Sequence, residues 1–222
     1  MNYNKILFFI YIGLFSLMMT SCFPFAQYES ARTLGKGKGS LGVTGMGYIL
    51  YDRSSGLTNS NDVIPLGSLE ISGGYGLTDR SDVRLMVNSF GFVYLDYKQM
   101  LIGDRQSYFA LSSGFGVDGN PVLPLTQNAD PFVKMHLPLY MSWHKSNKYF
   151  FINPKVSYQI VFEGKKTIGT PFAGVGIGGG FFNGDFEIFG GTGPILPFTP
   201  TLENKNFALF WQTGIGARYY IR

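Results

Sequence analysis

Ser142 and His144 are the residues whose types and spacing come closest to a catalytic arrangement in this chain of 222 residues. Side chains two positions apart lie on the same face of an extended strand, so the imidazole could take the proton of the serine hydroxyl. With an acidic residue from another strand, the pair would make the chain a lipid-modifying hydrolase. The simpler interpretation is that both residues are polar lining beside a turn. We adopt it and predict no catalytic residue and no enzymatic activity.

A glycine pattern and the histidines give no cofactor either. Residues 174–179 fit G-x-G-x-x-G, but nucleotide binding needs this motif between a strand and a helix. Here the chain continues into another strand, so we interpret the alternate glycines as small positions on the inward face of a strand, which leave room for larger side chains. His136 has no second His within reach as a ligand partner. We predict neither a cofactor nor a metal site.

Composition excludes several classes of protein. Charged residues make up 14% and aromatic residues 17% of the chain, with 30 glycines and a mean hydropathy of +0.08. A disordered chain has lower hydrophobicity and higher charge. One Cys excludes a disulfide framework, and after residue 20 no apolar run reaches the roughly 18 residues of a membrane helix. The net charge of +4 is too small to indicate a nucleic-acid partner.

The first residues have the form of an export signal. After a short polar start, residues 6–19 are almost wholly apolar, which is too short for a membrane helix and typical of a signal peptide. Residues 19–22, Met-Thr-Ser-Cys, resemble a bacterial lipobox, in which the Cys is acylated and becomes the mature N-terminus. We predict a signal peptide over residues 1–21, lipidation at Cys22 and a periplasmic lead-in over residues 22–39. The alternative is a secreted protein with an incidental Cys.

From residue 40 to residue 222, apolar and polar residues alternate with the period of two that is typical of β-strands. No stretch there shows the 3.6-residue period of a helix. The pattern predicts an all-β protein, a closed up-and-down antiparallel transmembrane β-barrel of about ten strands. The predicted strands cover residues 40–51, 65–77, 81–91, 92–102, 106–117, 132–144, 148–162, 171–182, 185–191 and 207–222.

The connections favour a membrane barrel over a soluble β-sandwich, which is the alternative. Outer-membrane barrels have short periplasmic turns, longer outer loops and both termini in the periplasm. Pro138 and Pro154, in adjacent strands, each delete a donor of the hydrogen-bond ladder, so we expect a local bulge there. Short predicted turns alternate with long connections over residues 52–64, 118–130, 163–170 and 192–205, apart from one short connection near residues 89–92. The turns are Thr78-Asp79-Arg80, Gly103-Asp104-Arg105, Lys145-Ser146 and Asn183-Gly184.

Three features accompany the alternation: Cys22, the polar residues 31–38 (Ala-Arg-Thr-Leu-Gly-Lys-Gly-Lys), and the aromatic residues 215–221 (Ile-Gly-Ala-Arg-Tyr-Tyr-Ile) at the end. With them, the chain resembles small bacterial outer-membrane β-barrel proteins that carry a lipoprotein-type signal peptide. The resemblance extends over the whole mature chain. It implies an outer-membrane location with membrane lipid as a partner, and it implies no particular substrate.

The inward faces of the predicted strands carry balanced charge. The acids assigned there are Glu70, Asp82, Asp96, Asp185 and Glu187, and the bases are Arg84, Lys98, Lys134, Lys155 and Arg218. Equal numbers favour ion pairs that close the lumen, because a selective pore would carry charge of one sign. We expect His136 opposite Lys155, where these two and Lys134 could alternatively attract an anion. The predicted polar network comprises Glu70, Arg84, Asp96, Lys98, Lys134, His136, Lys155, Glu187 and Arg218.

Two predicted outer loops carry apolar residues between or directly after prolines: Val122, Leu123 and Leu125 in one, and Ile195, Leu196 and Phe198 in the other. Exposed apolar patches mark contact sites, although these residues could instead pack over the barrel mouth. We predict a non-enzymatic outer-membrane lipoprotein that binds or passes a small apolar or amphipathic molecule at its outer mouth. The alternative is a structural or adhesion barrel that acts through its surface loops.

Overall fold

The computed structural model describes residues 28–52, 63–119, 131–163, 166–197 and 208–221. In these ranges the chain forms the ten predicted strands, and no helix is long and apolar enough to cross a membrane. The strands are β1 (Gly39–Asp52), β2 (Val63–Thr78), β3 (Ser81–Asn88), β4 (Val93–Ile102), β5 (Phe109–Gly119), β6 (Phe132–Lys145), β7 (Lys148–Glu163), β8 (Lys166–Asn183), β9 (Phe186–Pro197) and β10 (Ala208–Ile221).

The sheet closes on itself. Each strand pairs antiparallel with the strand before and after it, and β1 pairs with both β2 and β10. Gly39 lies opposite Ile221 and Asp52 opposite Ala208, so the closing pair runs the full length of β1. The predicted closed up-and-down barrel is therefore confirmed. Closure leaves no open sheet edge.

The alternation in the sequence separates an apolar outside from a polar inside. In β6, Lys134, His136 and Ser142 are buried in the lumen, whereas Met135 and Leu137, which lie between them, are exposed. Large apolar side chains cover the outward face of every strand; among them are Leu41, Ile71, Leu85, Leu95, Phe115, Leu137, Val156, Ile177, Ile188 and Ile215. Leu137 is 58% exposed and Ile215 is 68% exposed, which is the reverse of a soluble sandwich.

One end of the barrel, which we call the short-turn end, holds residues 79–80, 103–108, 146–147 and 184–185, together with Gly39 and Ile221. Two predicted hairpin turns are displaced by one residue. Lys145 pairs with Lys148, so the turn is Ser146-Asn147, and Asn183 pairs with Phe186, so the turn is Gly184-Asp185. In both, the first turn residue has positive φ, 56° at Ser146 and 64° at Gly184, a conformation that Gly adopts without strain.

The other two short connections also differ from the prediction. Thr78 pairs with Ser81 after a register shift next to Gly76, which shortens that connection to Asp79-Arg80. Between β4 and β5 the connection is longer than predicted and spans residues 103–108. The Asp104 carboxylate accepts hydrogen bonds of 2.7 Å from the backbone N–H groups of Gln106 and Ser107. These hydrogen bonds provide partners for backbone N–H groups of the loop, whose full length strand parity alone did not predict.

The strands next to two predicted long loops are longer than expected. Glu163 pairs with Lys166 and Ala173 pairs with Leu196, so the predicted loops over 163–170 and 192–205 are wrong in their extent. Backbone pairing to a neighbouring strand continues there because it needs no alternation of side chains.

The bulge predicted at Pro138 and Pro154 is also wrong. Pro138 pairs with Lys155 and Met141 with Ile152, which is the same register on both sides of the prolines. The ladder between β6 and β7 is interrupted between these pairs and then resumes. The missing N–H of each proline therefore removes hydrogen bonds from the ladder here, but no extra residue is inserted into either strand.

Candidate functional site: an occupied barrel interior

Residues 28–34, which we call the plug, lie inside the barrel. They precede β1 at the short-turn end and extend inward from there, so that Tyr28 contacts positions near the middle of β8, β9 and β10. Every residue of the plug except Arg32 and Leu34 is buried. This segment belongs to the predicted periplasmic lead-in, and the prediction did not place it in the lumen.

Tyr28 fills a space that glycines leave open. A Cβ at Gly191 would lie 2.7 Å from the Tyr28 ring, and a Cβ at Gly176 or Gly214 would lie 3.2 or 3.1 Å from it. The ring packs on Phe151, with centroids 6.2 Å apart, and its hydroxyl donates to the backbone oxygen of Gln212 at 3.0 Å. The prediction that alternate glycines make room for larger side chains is confirmed, and one of these side chains belongs to the plug.

Glu29 is the charged centre of the plug. Its carboxylate forms an ion pair with Arg84, lies 3.4 Å from Lys98 Nζ and lies 3.9 Å from Arg218 Nη1. These bases come from β3, β4 and β10, and the carboxylate side chain is 1% exposed. The Asn153 amide from β7 donates to the Glu29 backbone oxygen at 3.0 Å. Four strands therefore hold one residue of the plug.

Ser142 and His144 lie within hydrogen-bond distance of each other, as the spacing predicts, and residues of the plug are hydrogen-bonded to both side chains. Ser142 Oγ lies 2.9 Å from His144 Nε2, and Ser30 Oγ from the plug lies 3.0 Å from the same nitrogen. The Ala31 N–H donates to Ser142 Oγ at 3.0 Å. Ser142 is fully buried, so the hydroxyl that a hydrolase would need faces the plug.

The rest of the plug is fixed by backbone contacts. Ser112 Oγ donates to the Ala31 backbone oxygen, and Thr33 Oγ1 donates to the Asp79 backbone oxygen at 2.7 Å. The Leu34 N–H donates to the Asp82 carboxylate at 3.0 Å. The chain then meets the barrel rim, where Gly37 N–H donates to the Gly76 oxygen at 2.9 Å.

The other half of the lumen contains a separate ionisable group. His136 Nε2 lies 2.8 Å from the Asp118 carboxylate, and its ring packs edge-on against Tyr94. The predicted pairing of His136 with Lys155 is wrong, because His136 lies opposite Ser157 and Lys155 lies opposite Pro138. Asp118, absent from our predicted lumen residues, is the partner that settles the position of the imidazole.

The remaining acids of the predicted network accept hydrogen bonds from tyrosines. Tyr140 OH donates to Asp96 at 2.9 Å, and Tyr220 OH donates to Glu187 at 2.6 Å. Glu187 also accepts from Tyr149 and lies 3.2 Å from Arg218 Nη1. All nine residues of that network are buried: Glu70, Arg84, Asp96, Lys98, Lys134, His136, Lys155, Glu187 and Arg218. Sequence reasoning missed Glu29 and Asp118, which complete the network.

Of the six apolar residues predicted to form a contact site in the outer loops, two belong to a strand and four lie outside the described residues. Ile195 and Leu196 belong to β9, and Ile195 points into the barrel, where it is buried. Val122, Leu123, Leu125 and Phe198 lie outside the described residues, as do Cys22 and the signal peptide over residues 1–21. Within the described ranges, no cluster of three or more His, Cys, Asp or Glu residues could hold a metal ion.

Comparison with known proteins gives similar structures but no related sequence. No model of a known protein family matches the chain, and no curated protein matches it. The N-terminal β-barrel domain of Pseudomonas aeruginosa OprF is similar over 84% of this chain and 100% of its own, with 13% identity and a TM-score of 0.34. Neisserial surface protein A matches over 83% and 99%, with 12% identity and a TM-score of 0.38.

A third solved structure, the outer membrane protease OmpT from Escherichia coli, matches over 88% of this chain and 99% of its own, with 8% identity and a TM-score of 0.43. The class of the present protein follows from its own geometry. It is a closed antiparallel β-barrel of ten strands, apolar outside, polar inside and occupied by its own N-terminal segment.

Proposed function

We propose that this protein spans a bacterial outer membrane as a plugged barrel and, without catalysing a reaction, binds a small apolar or amphipathic molecule at its outer mouth. Cys22 would carry a lipid anchor after removal of the signal peptide. The short-turn end would face the periplasm, in keeping with the short periplasmic turns of such barrels. The end opposite the short turns is then the outer mouth.

The outward face of the strands supports a membrane location. Side chains such as Leu137, Ile215 and Ile71 are more than half exposed, and water would make that exposure costly, at about 25 cal/mol for each Å² of apolar surface. In lipid the same surface is solvated, and closure of the sheet pairs the backbone internally. A soluble sandwich would bury these residues instead.

The plug and the lumen network support a barrel that passes no steady current of ions. Glu29 and its three bases lie across the lumen between β3, β4 and β10. Tyr28 fills the adjacent glycine-lined space. An ion moving through the barrel would have to displace this cluster, so we assign function to the ends of the barrel and not to conduction.

The observation that carries the ligand proposal is an apolar cluster that points inward near the outer mouth. Met86, Phe92 and Phe132 are buried there, with Phe90 and Val161 packed against them. The rings of Phe92 and Phe132 meet edge-on, with centroids 5.4 Å apart. Each of these three side chains is at most 4% exposed, so an apolar group would bind by entering between them from the outer mouth.

Photolabelling tests the proposal directly. The purified protein in lipid nanodiscs is irradiated with a diazirine-bearing fatty alcohol, and labelled peptides are identified by mass spectrometry. We expect saturable labelling near Met86, Phe92 and Phe132 that excess unlabelled alcohol suppresses. Phe132→Ser should abolish it, whereas Phe115→Ser, which changes an outward-facing Phe, should not. Labelling that is not saturable, or that both variants reduce equally, would overturn the proposal.

A second candidate is a lipid-modifying hydrolase, favoured by the 2.9 Å separation of Ser142 Oγ and His144 Nε2. Its test is turnover of a chromogenic acyl ester by the purified protein. Activity that Ser142→Ala abolishes, in a variant that remains folded, would establish the hydrolase and displace the binding function. We expect no turnover by either protein, because Ser30 and Ala31 already contact both catalytic atoms.

A further inference from the structure

A cavity of about 470 Å³ lies at the short-turn end, between the plug and the barrel wall. The plug forms one side, and the turns Ser146-Asn147 and Gly184-Asp185 border its opening. On β3 its lining residue Arg84 lies two positions from Met86 of the apolar cluster, and the cavity opens at the opposite end of the barrel. Its volume falls in the range of ordinary small-molecule sites. Six bases line it: Arg32, Lys38, Arg84, Lys98, Arg105 and Arg218.

The charge of this cavity is positive even after its ion pairs are counted. The lining contains two carboxylates, Glu29 and Asp185. Two more lie just behind it, Asp82 at 3.6 Å from Lys98 and Glu187 at 3.2 Å from Arg218. Asp104, whose charge acts on Arg32, is a fifth acid near the site. Six bases against five acids leave 6 − 5 = +1. Glu29, Asp82 and Glu187 are the acids that neutralise the inner bases.

The excess charge belongs to the bases nearest the opening. Across the described part of the chain, no carboxylate oxygen lies within 4.0 Å of a nitrogen of Arg32, Lys38 or Arg105. Arg32 donates one bond to the Ser107 backbone oxygen, and its buried Nε has no hydrogen-bond partner among the described residues. Burial lowers the pKa of the Arg32 guanidinium from its ordinary value, which is the cost that a bound anion would offset.

The backbone makes space for the second arginine. Gly35 has a φ of 87°, and a Cβ there would lie 2.9 Å from Arg105 Cζ. Arg105 therefore lies over the backbone of the segment that leaves the plug. Two guanidinium groups, from Arg32 and Arg105, face the same cavity. Guanidinium groups bind carboxylate and phosphate oxygens through paired hydrogen bonds.

The cavity also has an apolar wall. Leu34, Phe182 and Ile221 contribute to its lining, and the Phe182 ring packs near Tyr220, with centroids 5.9 Å apart. A fully hydrated inorganic ion would leave this wall unused. A ligand with one anionic group and a short apolar group would contact both sides of the cavity.

We propose that this cavity is a binding site for a small amphipathic anion, an organic phosphate or carboxylate. The anionic group binds Arg32 and Arg105, and the apolar group lies against Leu34 and Phe182. The site is independent of the ligand proposed for the outer mouth, and it is accessible from the short-turn end. Neutral molecules of the same size gain nothing from the two arginines.

Calorimetry on the full-length protein in a non-ionic detergent tests the site. The probes are butyl phosphate, 1-butanol and inorganic phosphate. We expect butyl phosphate to bind at least tenfold more tightly than either of the others. Binding of butyl phosphate that is absent, or no tighter than that of inorganic phosphate or 1-butanol, would overturn the assignment.

Charge-neutral variants locate the site. Arg105→Gln changes an exposed residue that makes no ion pair in the described chain, and it should weaken butyl phosphate binding about tenfold. Arg80→Gln is the matched control, because Arg80 lies at the same end but outside the cavity lining, and it should change the affinity less than twofold. Equal losses in the two variants would mean non-specific attraction and would contradict the site.

Discussion

Replacing Glu29 by Gln tests whether the plug is an integral part of the barrel. The carboxylate is the shared partner of Arg84, Lys98 and Arg218, and it is 1% exposed. The amide keeps the size of the side chain and removes its charge. Three bases, each less than a tenth exposed, then face a neutral group in the lumen.

The expected loss is large for a single substitution. Removing one partner of a buried ion pair costs about 3–5 kcal/mol. Asp82 and Glu187 still contact Lys98 and Arg218, so we expect the lower end, about 3 kcal/mol, which is roughly a 150-fold change in the unfolding equilibrium constant. Arg84 loses the most, because Glu29 is its one carboxylate partner within 4.0 Å among the described residues.

The assay is urea unfolding of the protein in lipid bilayers. Trp143 and Trp211 both point outward, so their fluorescence reports transfer from lipid to water. Asp79→Asn is the control, because this exposed acid at the short-turn end makes no ion pair in the described chain, and it should cost less than about 0.5 kcal/mol. A Glu29→Gln variant as stable as the control would refute the role of the plug.

Four further outcomes are expected. Ser142→Ala removes two contacts to the plug and should cost about 1–2 kcal/mol in the same titration; an unchanged midpoint would contradict that anchoring role. Gly191→Leu should displace Tyr28 and destabilise the barrel by about 1–3 kcal/mol, and Tyr28→Ala should restore part of the loss, whereas no rescue would mean that the two do not compete for space. Leu137→Arg, near the middle of the outward face, should cost about 2–4 kcal/mol in a bilayer, and a cost near zero would argue against contact with lipid. Backbone hydrogen bonds hold the pKa of Asp104 below its ordinary value. The ionised carboxylate therefore stabilises the folded protein above about pH 4, and this stabilisation is lost as the pH falls through the lowered pKa of the folded state. An acid titration in which Asp104→Asn behaves like the wild type would contradict this.

The strands could be predicted because the outer face and the lumen of the barrel carry residues of opposite polarity at alternate positions. From Phe132 to His144 in β6, buried residues alternate with apolar residues that are exposed or half-buried, so parity alone assigns each side chain to a face. Arg84, Glu187 and Arg218, which the same parity assigned to the inward face, are buried. The ends of the strands were less predictable. β9 continues to Pro197 because this residue pairs with Phe172 of β8, and the sequence around Pro197 alone does not indicate that pairing.

The plug could not be predicted from local pattern. Residues 28–34 have no periodicity, and their place depends on contacts with strands more than a hundred positions away, such as the bond between Ala31 and Ser142. One signal was present in the sequence. Inward glycines at 176, 191 and 214 leave a space in the barrel wall that no strand residue fills completely, and Tyr28 occupies it.

Planar-bilayer recording of the purified full-length protein tests the central claim most directly. Insertion is first verified by flotation with liposomes. A barrel whose lumen is closed by Tyr28, Glu29 and the surrounding ion pairs predicts no steady ionic current at any applied voltage that the bilayer tolerates. A stable, ohmic conductance from the inserted wild-type protein would contradict the closed lumen and the function assigned to the barrel ends.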